Sequence, residues 1–104
     1  GGDPITYPAL AAGCVGCVWG AINFIPDEAV VLFELVQEGK LGQANQLWQR
    51  LLPSQLFIWT HVYNSAVKSA ANYRGFNVGQ CRAPVLPLSN QDLSILTQNL
   101  DKIG

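Results

Sequence analysis

Three groups of side chains in this sequence have types and spacings that could do chemistry: a Cys-x-x-Cys pair, three lysines, and a lone histidine just before Tyr63 and Asn64. Cys14 and Cys17 stand in AAGCVGCVWG, and a pair so spaced can be half of a zinc site or a thiol–disulfide centre. A structural zinc needs two more ligands at suitable spacing, and only Cys81 and His61 remain, both far along the chain. A redox pair belongs at a helix N-terminus. The run from Cys14 to Trp19 is instead short, apolar and uncharged between Gly13 and Gly20. It reads as a strand buried on both faces, of the kind a parallel sheet holds. Residues three apart on a strand point to opposite faces, so the two thiols can share neither a metal nor an unstrained disulfide.

A lysine forms a Schiff base only when a pocket desolvates it. Lys40 follows a helix-stopping glycine, Lys102 is terminal and Lys68 lies on a helix, so all three read as solvated. His61 reads as a satisfied structural histidine. Asn64 beside Tyr63 is a polar group on an otherwise apolar helix and needs a hydrogen-bond partner, either a substrate or the backbone.

The elements that must position these groups fit into 104 residues, enough for one small domain. The net charge of −1 and the absence of any Lys/Arg stripe argue against nucleic acid or an anionic membrane as partner. No apolar run reaches the roughly 18 residues of a membrane span. GGDPITYPAL has no positive n-region and no h-region, so no signal peptide is expected. An odd cysteine count favours a reduced, cytoplasmic setting. Only 12% of residues are charged, against roughly 25% in ordinary soluble domains. A small domain should carry more charge than that, so much of this surface is expected to lie against other protein.

Gly1 to Pro4 reads as a turn, leading into a short helix from Ile5 to Ala12 stopped by Gly13. After the expected strand, Pro26, Asp27 and Glu28 open a helix with Ala29, Leu32, Phe33 and Val36 at helical spacing, ended by Gly39. A helix from Leu41 carries Ala44, Leu47, Trp48, Leu51 and Leu52 until Pro53 interrupts it. A further helix, Gln55 to Arg74, is apolar on nearly every side and is expected to be buried all round. A glycine-rich loop (75–79) and a proline-held extended stretch (82–87) follow, and Ser89-x-x-Asp92 opens the last helix with a capping-box pattern. One strand with no partner in the chain marks the sequence as part of a larger fold.

Taken in order, these features resemble the C-terminal third of the dihydrodipicolinate synthase and N-acetylneuraminate lyase family, pyruvate-dependent class I aldolases on a (β/α)8 barrel. Gly1-Gly2-Asp3 resembles the turn after the seventh strand, and Ala12 to Val18 the G-x-x-G-x-I segment of the eighth, with Asn23 similar to the Asn that follows it. Glu38-Gly39-Lys40-Leu41, Ala44 and Leu51-Leu52-Pro53 resemble the E-G-K-L-x-x-A element and closing L-x-P of the next helices. Val67-Lys68 and Gly79-x-Cys81-Arg82-x-Pro84 resemble the V-K and G-x-x-R-x-P elements of the C-terminal appendix.

The resemblance implies an α/β fold: residues 1–39 as the last part of a TIM barrel (helix, eighth strand, eighth helix) and 40–104 as a C-terminal helical appendix. It implies a lysine that forms a Schiff base with pyruvate or a 2-keto acid, a proton-relaying tyrosine, and a loop that holds the carboxylate. None of those three lies in this sequence, so the segment by itself is expected to be inactive. The implied substrate-binding residues are Val18, through its backbone carbonyl, with Trp19, Gly20 and Asn64 near the variable end of the substrate, and Asn23 as a further neighbour. Trp19 stands where the family has a small residue, which favours a sugar-acid or aromatic aldolase over a dihydrodipicolinate synthase; core or interface packing is the other reading of that indole. Arg82 is expected to brace the extended stretch. No cofactor and no metal are implied; the partners are the rest of the barrel, a small 2-keto acid and further copies in a tetramer or dimer. A dehydratase using the same Schiff base, or a non-enzymatic helical interaction module, are the rival readings.

Overall fold

The computed structural model describes residues 2–104; Gly1, the first residue of the expected turn, lies outside the described residues. The order is a 3₁₀ turn (Asp3–Ile5), α1 (Thr6–Ala11), a second 3₁₀ turn (Gly20–Asn23), α2 (Pro26–Gln37), α3 (Leu41–Thr60), α4 (Tyr63–Tyr73) and α5 (Asn90–Asp101). The α3 helix is the spine, and α1, α2, α4, α5 and the first 3₁₀ turn all pack against it. With 20 residues it spans about 30 Å at 1.5 Å per residue, which accounts for the 43 × 23 × 22 Å shape.

The spine departs from expectation at Pro53, where the helix continues. Ala44, Trp48, Leu51, Gln55 and Ile58 are buried at alternating intervals of four and three, and this stripe passes Pro53 without a change of phase. An interior proline costs about 3 kcal/mol, while each large apolar side chain kept in the core returns about 1.5–3 kcal/mol, so packing overrides the break. The break falls instead at His61 and Val62. Thr60 Oγ1 donates to the Leu56 carbonyl (2.9 Å), His61 Nδ1 lies 2.8 Å from the Phe57 carbonyl, and the imidazole stacks on Phe57 at 3.8 Å. Two side chains thus take the last carbonyls of α3. The expected single helix over 55–74 is therefore two pieces, and it is not buried all round: Leu56, Trp59 and Val62 are exposed.

The buried strand expected at Cys14–Trp19 is not formed, and no strand occurs among the described residues. Val15 is 92% and Val18 90% exposed, and both Cys14 and Cys17 are exposed free thiols. The reason is the missing ladder: the Cys14 N–H donates to the Ala9 carbonyl (3.1 Å), but the segment has no neighbouring strand among the described residues to pair with. No helix of the described residues is long and apolar enough to cross a membrane.

The C-terminal elements are held largely as expected. Ser89 caps α5 by accepting a hydrogen bond from the Asp92 N–H (3.1 Å). Residues 75–89 form a strap tied to α4: Asn72 donates to the Gly79 carbonyl (2.9 Å) and accepts from the Val78 N–H (2.7 Å), Lys68 donates to the Gln80 carbonyl (3.3 Å), and Ser65 donates to the Leu86 carbonyl. Arg74 at the end of α4 pairs with Glu28 in the first turn of α2 at 2.6 Å, both about four-fifths buried.

Candidate functional site

The residues that could line a site surround the Gly20–Asn23 turn, and a buried carboxylate fixes that turn. Asp3, 2% exposed, accepts a hydrogen bond from the Ala21 N–H (2.9 Å), and the Tyr63 hydroxyl lies 3.0 Å from each of its carboxylate oxygens. A buried carboxylate needs such donors, and these come from elements 18 and 60 residues away in sequence. Burial pushes the Tyr63 phenol up to about 12, helped by its hydrogen bond to Asp3 and that carboxylate's charge, with a backbone hydrogen bond from Gly20 acting in the opposite direction. Tyr63 is thus a protonated donor at neutral pH.

Gly20 is required by that arrangement. A Cβ there would stand 2.0 Å from the Tyr63 hydroxyl oxygen. Asn23 closes the turn by donating from Nδ2 to the Gly20 carbonyl at 2.9 Å.

Trp19 and Val18 adjoin in sequence and face opposite surroundings. Trp19 is 7% exposed, with its ring 6.3 Å from that of Trp48 on the spine, and Trp48 also meets Tyr7 at 6.1 Å. Val18 faces water. Asn64 is exposed one residue beyond the Tyr63 clamp. Together with Asn23 it borders a cleft of about 600 Å³ between the turn, α4 and the strap, into which Lys68, Cys81 and Arg82 also face. The structure therefore brings Asn23 and Asn64 together, sets Gly20 beneath the Tyr63 ring, and holds Trp19 in the core.

Arg82 does not brace the strap. It is exposed, and its guanidinium makes no side-chain hydrogen bond or ion pair among the described residues; Ser65, Lys68 and Asn72 hold that stretch instead. The described residues contain no group of three or more His, Cys, Asp or Glu that could hold a metal.

The comparisons with known proteins agree on one family. The family model of the dihydrodipicolinate synthetase family matches residues 1–103. The chain belongs to the dihydrodipicolinate synthetase family. It is 32% identical over 104 residues to a 4-hydroxy-tetrahydrodipicolinate synthase of Caldicellulosiruptor saccharolyticus, covering the whole of this chain and 35% of that protein. It is 30% identical to an uncharacterized DapA-like lyase of Halobacterium salinarum, of which it covers 34%. A crystal structure from Pseudomonas aeruginosa, assigned as a dihydrodipicolinate synthetase, superposes with a TM-score of 0.87 at 30% identity over the whole chain and 36% of its own length. The chain thus spans about a third of the length of these relatives, and the helices of this family member occupy the same positions as helices of a solved relative.

Sequence reasoning placed Asp3 in a turn and missed its role. The signal lay in the Gly-Asp pair itself, an acid beside Pro4 in a chain poor in charge. Its partner Tyr63 could not be paired with it from sequence, because nothing local links positions 60 residues apart.

Proposed function

We propose that this chain is the C-terminal part of a lyase or aldolase that forms a Schiff base with pyruvate or a 2-keto acid, with the catalytic lysine and tyrosine upstream. In that reading residues 1–39 complete the barrel and 40–104 form the helical appendix. The observation that carries it is the uncharged segment from Gly13 to Val18: it stands fully exposed, with Val15 and Val18 at 92% and 90%, directly beside a turn rigidly pinned by Asp3. An apolar extended segment anchored at one end and bare along its length is what remains of a buried strand without its neighbours.

The lysine amine adds to the keto carbon and water leaves, giving an iminium. Loss of a proton from the adjacent carbon then gives an enamine, the nucleophile that joins or, in reverse, is released from an aldehyde. This chain's part is to close the pocket. The Val18 carbonyl would face the bound pyruvate at the C-terminal end of the last strand, where barrels place their chemistry. Gly20 and Asn64 would border the variable end of the substrate, while Trp19 backs the turn from the core. The Trp19 indole packs in the core against Trp48, so its bulk gives no ground for a sugar-acid or aromatic aldolase over a dihydrodipicolinate synthase, and a 2-keto-acid dehydratase is the nearest alternative. The whole enzyme would be a cytoplasmic homo-oligomer.

The test is borohydride trapping of the full-length protein with pyruvate, followed by peptide mass mapping. A pyruvyl adduct on a lysine outside this chain is expected. No adduct, or an adduct on Lys40, Lys68 or Lys102, overturns the reading.

A further inference from the structure

We propose that the cleft between the Gly20–Asn23 turn, α4 and the strap is a binding site for a small carboxylate carried on an apolar body. Its volume of about 600 Å³ falls within the roughly 300–1,000 Å³ of small-molecule sites. The side chains that face it divide by chemistry. Val67 and Ala71, buried residues of α4, supply an apolar floor. Lys68 and Arg82 supply two cations, and no aspartate or glutamate lines the cleft to neutralise them.

The donors are also available. Lys68 commits one N–H to the Gln80 carbonyl at 3.3 Å and keeps two. The Arg82 guanidinium makes no side-chain bond among the described residues, and its planar fork matches a carboxylate. Asn64 stands exposed at the rim, while Asn23 is fixed by the Nδ2 N–H it gives to the Gly20 carbonyl and keeps the other Nδ2 N–H to donate. Two cations, two carboxamides and an apolar floor select an anion with an apolar body over a metal cation or a bare hydrocarbon. The inference rests in part on the Schiff-base reading, which already sets Asn23 and Asn64 at the variable end of the substrate, whereas Lys68 and Arg82 take no part in that reading.

The test titrates the full-length protein with benzoate and with its neutral isostere benzamide by calorimetry, and repeats both with R82Q. Benzoate is expected to bind about 10-fold more tightly than benzamide, the worth of one charge-assisted hydrogen bond, and R82Q is expected to abolish that preference. K68Q serves as the second variant and is expected to weaken benzoate in the same direction. Equal affinities for the two probes, or a preference for benzoate that survives both substitutions, overturns the proposal; the second result would place the carboxylate elsewhere in the protein. Pyruvate trapping with borohydride on R82Q reads the Schiff-base chemistry separately and is expected to be unchanged.

Discussion

The Tyr63 hydroxyl lies 3.0 Å from each carboxylate oxygen of Asp3, joining the first turn of the chain to the start of α4. The Ala21 amide completes the same cluster, so one carboxylate ties the Gly20–Asn23 turn to α4. The phenol is held well above its ordinary value of 10, at about 12. A group whose folded value is raised stabilises the fold fully below its unfolded value, and that stabilisation is lost as pH rises through the folded one. The clamp is therefore intact at neutral pH and is lost between about 10 and 12. Alkaline difference spectroscopy of tyrosinate should show a phase with a midpoint near 12 that Y63F removes. A Tyr63 that titrates with the ordinary phenols would rule the clamp out.

Gly20→Ala tests the same cluster sterically. The new methyl would meet the Tyr63 oxygen at 2.0 Å and its ring carbon at 2.8 Å, so the phenol must leave Asp3. A buried carboxylate stripped of a donor costs about 1–3 kcal/mol, and urea unfolding should register a loss of that size. Gly16→Ala is the control. Nothing lies within 4 Å of its added Cβ, and a change within about 0.5 kcal/mol is expected in this chain.

How far these features were legible depended on what each residue had to be near. The helices were readable because their signals are local: Pro26 with two acids, Gly39 at positive φ, Ser89 three residues before Asp92. Pro53 misled because its local cost is real, while the stripe from Ala44 to Ile58 that outweighs it becomes decisive only once α2, α4 and α5 pack on it. The Cys14–Trp19 run misled for the opposite reason. Its composition is that of a buried strand, but burial needs neighbours: Trp19 finds Trp48, and Cys14 to Val18 find none among the described residues. Of the site, Asn23 and Asn64 were recognised singly, whereas their shared cleft and the Asp3–Tyr63 contact are products of the tertiary fold.

The Ser89 hydroxyl accepts from the Asp92 N–H, so Ser89→Ala leaves an orphan donor at the start of α5. Loss of such a cap costs about 1 kcal/mol. Amide exchange should speed up in the first turn of α5 by about fivefold, and Leu96, Leu100 and Ile103 should remain in place against the core. Unchanged protection at Asp92 would show that the cap contributes nothing.

The exposed thiols give a direct reading of what normally covers the segment from Gly13 to Val18. Cys14 and Cys17 are exposed here, and partial desolvation raises the Cys17 thiol, so Cys17 should react more slowly than a small free thiol with a neutral alkylating reagent. In the isolated chain both should nevertheless label without any opening of the fold. In the full-length protein the segment should become a paired strand, and labelling of both should slow by at least about 100-fold, because a thiol in a paired, buried strand is reached only through opening of the fold. Cys81, half-buried between α4 and the strap, should label at the same rate in both forms. Equal labelling of Cys14 and Cys17 in the two forms would mean that no strand is completed there and would remove the barrel-closing role assigned to this segment.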